Sequence, residues 1–91
     1  MTEFEIVDLW MDELRASLDL TGLQDVDVPA LLGTVRTVAH TVIHPAGPVA
    51  LFAAGYAVAR AGGSAEAVQS TLRRLTELAP AFAAAHGLGD E

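Results

Sequence analysis

Three observations predict an all-α fold, a compact four-helix, bundle-like single domain. Apolar residues recur at helical spacing along the whole chain, and no run alternates apolar and polar residues as a half-buried strand would. Capping residues together with Gly and Pro divide the chain into four such stretches. At 91 residues there is room for one domain, 1–91, with an ordered core over about 3–86.

Helix one opens on Thr2 and Glu5, the two ends of a capping box, and runs to about Leu18. Phe4, Val7, Trp10, Met11, Leu14 and Leu18 fall on one side, and Glu5, Asp8, Asp12, Arg15 and Asp19 form the solvated side. A loop with Gly22 leads to Asp27, which caps helix two; Pro29 fits the first turn, where an N–H has no intrahelical partner. The buried face of helix two is Val28, Leu31, Leu32, Val35, Val38, Ala39 and Val42. Pro45 disfavours helical geometry just before it, which predicts an end at Ile43 or His44.

Helix three takes Pro48 in its first turn and stops at Gly62-Gly63. The fifteen residues from Pro45 to Ala59 carry no charge, which predicts a central, heavily buried helix. Ser64 caps helix four, with Glu66 in its first turn, and Val68, Leu72, Leu75, Ala79 and Phe82 make its apolar stripe. Pro80 removes one backbone bond and predicts a kink or break near that residue, with Gly87–Glu91 expected to fray. Trp10, Leu14, Val35, Phe52 and Leu72 are expected to share one core, so that Phe52→Ala would cost about 3 to 5 kcal/mol.

Charge and composition remove several functions. Residues 1–27 hold eight acids and one Arg, whereas residues 28–89 hold four Arg and two Glu. The acidic segment repels phosphate backbones, so no nucleic-acid partner is expected. The uncharged stretch is shorter than the roughly 20 residues of a membrane span, so no membrane partner is expected. Glu3, Glu5 and Asp8 take the place of a cationic signal segment, which points to the cytoplasm. Cysteine is absent, removing thiolate ligands and nucleophiles.

The residues that remain as candidates are few. Ser17, Ser64 and Ser70 lie in helices or at a cap with no nucleophile-elbow pattern, and Gly62-Gly63 follows a helix where a phosphate loop would follow a strand. No catalytic residues, no enzyme activity and no cofactor are therefore expected. His40 and His44 at i, i+4 are two imidazoles where zinc needs three or four protein ligands, so a metal site would require Asp, Glu or His86 from elsewhere. Arg36, His40 and His44 at i, i+4, i+8 read better as a polar stripe that can carry positive charge and accept an anion or an acidic partner. The alternative function is a small-ligand or metal-binding helical protein using those three residues. Mimicry of nucleic acid by the acidic segment, regulating a nucleic-acid enzyme, is a further class. On helix three, Ala50, Ala53, Ala57 and Ala61 form a flat face that lets another helix approach closely, and a small chain gains stability by using it in a homodimer or against a partner protein.

The stretch Val38-Ala39-His40-Thr41-Val42-Ile43-His44-Pro45-Ala46-Gly47-Pro48, followed by Leu51-Phe52-Ala53-Ala54-Gly55 and Ala61-Gly62-Gly63, resembles a small helical domain of unknown function from high-GC Gram-positive bacteria. That domain occurs alone or appended to molybdenum cofactor guanylyltransferases, and the likeness covers roughly residues 5–83. This chain departs from the family pattern at His44, where Arg is preferred, at Gly47 for Ala, and at Val49-Ala50 for Leu-Thr. The resemblance implies a non-catalytic accessory or interaction module linked to molybdenum cofactor biosynthesis, with a guanylyltransferase as partner. Arg at the His44 position implies a hydrogen-bond donor there in place of a metal ligand.

Overall fold

The computed structural model describes residues 1–88 and consists of four helices: α1 Glu3–Ser17, α2 Val28–Thr41, α3 Ala46–Arg60 and α4 Ala65–Ala85. No strand occurs among the described residues. The starts follow the expected caps. Thr2 Oγ1 accepts from the Glu5 N–H at 3.2 Å while Glu5 Oε1 accepts from the Thr2 N–H at 2.8 Å, closing the capping box. Asp27 Oδ1 accepts from the Ala30 N–H, and Ser64 Oγ from the Ala67 N–H.

Three of the ends share one geometry. After α1, α3 and α4 the chain turns left-handed at Asp19 (φ 51°), Gly62 (φ 100°) and Gly87 (φ 65°). The following N–H then bonds back across the last turn: Leu20 to the Arg15 carbonyl, Gly63 to Val58, and Leu88 to Ala83. This satisfies carbonyls that would otherwise lack partners. Gly87 and Leu88 therefore close α4; the rest of the segment expected to fray, residues 89–91, lies outside the described residues.

One boundary differs from expectation and one agrees with it. The α2 helix ends at Thr41, with His44 in the turn beyond it, and α3 begins at Ala46, ahead of Pro48. Pro45, Ala46 and Gly47 supply that first turn, and Pro48 lies within it, where its missing N–H costs no helical bond. At Pro80 the chain does not restart: α4 is one helix with the proline inside it. Thr76, whose carbonyl loses its partner to that proline, turns its own hydroxyl to the Leu72 carbonyl at 3.1 Å.

Helices α2, α3 and α4 pack mutually, and no Cα of α1 comes within 8 Å of a Cα in another helix. Val58, Val68 and Leu72 form the centre of the core, flanked by Leu23, Val26, Leu31 and Ala67. Val28, Val38, Ala54, Ala79 and Ala83 extend it along the three helices. The crossing of α2 and α3 is tight at Gly47, where a Cβ would meet the Val35 side chain and carbonyl at 3.1 Å.

The expected five-residue core does not form. Leu72 is buried and Leu14 and Val35 are half-buried, but Trp10 is 59% exposed and Phe52 is 85% exposed. The α3 helix is not the central helix. It docks through Gly47, Ala54 and Val58 and turns Val49, Phe52 and Tyr56 outward. Small residues on that side allow close helix approach, and close approach wins over burial of the aromatic side.

Candidate functional site

The polar stripe of α2 occupies two kinds of backbone. Arg36 and His40 lie one turn apart on the helix, and His44 follows in the Val42–Pro45 turn, all three exposed. Internal pairing with the acids of α1 is not how they are used, because α1 stands away from α2 and two of its carboxylates bond locally, Glu5 to the Thr2 N–H and Glu13 to the Ser17 hydroxyl. Among the described residues no three His, Asp or Glu side chains are grouped as a metal ion would require. The structure thus places Arg36 and His40 at exposed positions on α2 and His44 at an exposed position in the turn that follows.

The Ala face of α3 flanks α4. Ala53 and Ala57 line a shallow groove with Leu75, Leu78 and Ala81 of α4, edged by Arg74 and Glu77. Ala50 is half-buried beside it and Ala61 is exposed at its end. Next to this groove stand the large exposed residues of α3, Val49, Phe52 and Tyr56, with the Arg60 guanidinium 5.8 Å from the Tyr56 ring centre. The two surfaces together make one continuous side of α3, small and flat on one flank and aromatic on the other.

A cavity of about 530 Å³ lies where the α1–α2 loop meets α3 and α4. Leu20, Leu23, Leu31, Leu51, Val58 and Leu72 line it, with Met11 of α1 at its edge and Asp19 and Thr21 as its polar rim. None of Arg36, His40 and His44 reaches it. Its walls offer apolar contact and few convergent polar groups, which suits packing better than recognition of a polar substrate.

The loop above this cavity is held by Arg15, which periodicity assigns to solvent, and by Gln24 of the loop itself. Arg15 donates to the Leu23 carbonyl at 2.7 Å and to the Gln24 carbonyl at 3.0 Å. Gln24 in turn receives the Ala65 N–H on its side-chain oxygen at 2.8 Å and donates its own N–H to the Gly63 carbonyl at 2.8 Å. Gln24 thus caps α4 from 41 residues away. Gly63 is required at this crossing: its φ is 75°, and a Cβ would meet the Gly22 carbonyl oxygen at 2.5 Å. Gly62-Gly63, read as a helix stop, is also the seat of the loop.

No described helix is long and apolar enough to cross a membrane. Comparison with curated proteins and with solved structures gives no match. A family model matches residues 2–87, and the chain belongs to that family, described as Domain of unknown function (DUF6457).

Proposed function

We propose that this chain is a non-catalytic accessory module that works by protein–protein contact, with α3 as its contact helix. The observation that carries the reading is the exposure of Val49, Phe52 and Tyr56 beside the Ala50, Ala53, Ala57 and Ala61 flank. Single exposed apolar residues are ordinary on protein surfaces, whereas aromatic residues grouped on one helix side mark contact sites. The contact is made in a homodimer or with a partner protein. The resemblance of the Val38–Pro48 stretch to domains appended to molybdenum cofactor guanylyltransferases supports such an enzyme as partner, and a role in molybdenum cofactor biosynthesis in the cytoplasm.

Sedimentation of the purified chain, alone and with a guanylyltransferase that lacks such an appended domain, tests this. Association in either case that is lost in Phe52→Glu and Ala57→Glu is expected, because each substitution places a charge in the contact. A parent chain that stays monomeric at high concentration and does not bind the enzyme overturns the reading. Arg36, His40 and His44 provide a second, polar contact for an acidic segment of the partner, with Arg36 supplying the positive charge; their exposure on α2 and its following turn supports this. Loss of salt-sensitive binding in Arg36→Ala is the expected sign.

A further inference from the structure

A second apolar patch on this chain has no cover. The inner side of α1, Val7, Met11 and Leu14, is half-buried against the loop and the cavity edge. Ile6, Leu9 and Trp10 point elsewhere and are exposed, and at i, i+3, i+4 they form one patch flanked by Glu3 and Glu13. The α3 helix carries the matching element, Val49, Phe52 and Tyr56 at i, i+3, i+7, ending in Arg60. Both helices have 15 residues and span about 22 Å. Within one chain these patches do not meet, since α1 lies beyond 8 Å from α3.

We infer that the α1 patch of one copy docks antiparallel on the α3 patch of a second copy, and that the reciprocal contact closes a two-fold dimer. This deepens the reading of α3 as a contact helix and rests on it. Three arguments select a second copy as the occupant.

The first is charge. The α1 helix carries five carboxylates and one Arg, so α1 against α1 would bring like charges together. An antiparallel α1–α3 pair with its ends aligned instead sets Glu3 level with Arg60, an opposite-charge pair. The second is area. A compact chain of 9.5 kDa exposes roughly 5,000 Å², whereas this one exposes 6554 Å². The difference exceeds the roughly 800 Å² per partner of a stable interface. The third is symmetry. Unlike patches on one chain satisfy each other in pairs when related by a two-fold axis, leaving neither uncovered.

The absence of cysteine allows a direct test. Single variants Leu9→Cys and Phe52→Cys, both at exposed positions where folding is not at risk, are treated with a short bis-maleimide separately and as a mixture. A cross-linked dimer in the mixture, at several times the yield of either variant alone, is the expected result. Cross-linking of Phe52→Cys with itself and no gain in the mixture overturns the α1 docking, while leaving α3 as the contact helix. A monomeric parent chain, or a dimer that yields no cross-link in any combination, also overturns it; the reading of α3 as a contact helix then depends on guanylyltransferase binding alone.

Discussion

Helices α1 and α4 are built on the same plan and meet different fates. Each opens on a side-chain cap and carries an apolar stripe against a polar face. In α4 most of the stripe is enclosed: Val68, Leu72, Ala79 and Ala83 are buried and Leu75 half-buried in the packing with α2 and α3, and only Phe82, near the end of the helix, is exposed. In α1 no residue is buried, and Trp10 stands 59% exposed. The difference lies in what surrounds each helix. The α4 helix is bracketed by two helices that approach closely through Gly47, Ala54 and Val58, whereas α1 is joined to the body by a ten-residue connection and a strap of hydrogen bonds from Arg15. An amphipathic stripe states that a face is better covered; the neighbours decide whether the same chain covers it.

Four measurements would break or sharpen this contrast. The largest effect is expected at the centre of the three-helix body, where Leu72→Ala should cost about 2 to 5 kcal/mol in chemical denaturation. In the dissociated chain Phe52→Ala should cost no more than about 0.5 kcal/mol, because the side chain is 85% exposed. Equal costs for the two would mean that α3 is docked by its aromatic side.

Gly63→Ala should come next, at about 1 to 3 kcal/mol or more, since it combines a left-handed backbone with a clash against the Gly22 carbonyl. Gly55→Ala, in ordinary helix with open space around its Cβ position, should be neutral or slightly stabilising. A Gly63→Ala protein as stable as the parent would remove the α1–α2 loop from its place beside α4.

Arg15→Ala releases the hydrogen bonds that join α1 to its loop and Gln24→Ala the one that joins the loop to α4, and each should cost about 1 to 2 kcal/mol. The Gln24 effect should include weaker protection of the first turn of α4, readable by amide exchange. Unchanged exchange at Ala65 in Gln24→Ala would show the long-range cap to be dispensable.

The smallest effect concerns α1 itself. Trp10→Ala should alter the stability of the dissociated chain by no more than about 0.5 kcal/mol, and α1 amides should exchange faster than those of α2 and α4. Protection of α1 equal to that of α4 at low protein concentration would contradict its separation from the body.

Helix existence and helix starts were legible because they depend on neighbours in sequence. Thr2, Asp27 and Ser64 cap as their residue types require, and Gly62 turns left-handed where a Cβ is unwelcome. Asp19 takes the same turn as a non-glycine, which no spacing rule announces. The solvated reading of Arg15 came from its side of the helix, yet its long side chain reaches the Leu23 and Gln24 carbonyls from there. The candidate donors Arg36 and His40 could be placed on α2 in advance; His44 could not, because one turn of difference in the helix end moves it into the loop.

What the amino-acid order determined by itself is the set of four amphipathic helices, their caps, the acidic character of α1 and the absence of charge in α3 before Arg60. These follow from side-chain chemistry at i, i+3 and i+4, which acts within a turn or two. The tertiary structure alone decided that α3 buries its small side, that Gln24 caps a helix 41 residues away, and that α1 remains outside the three-helix core. The physical reason is that helix packing rewards close backbone approach and complementary shape between distant segments, and those quantities have no period to read along a single chain.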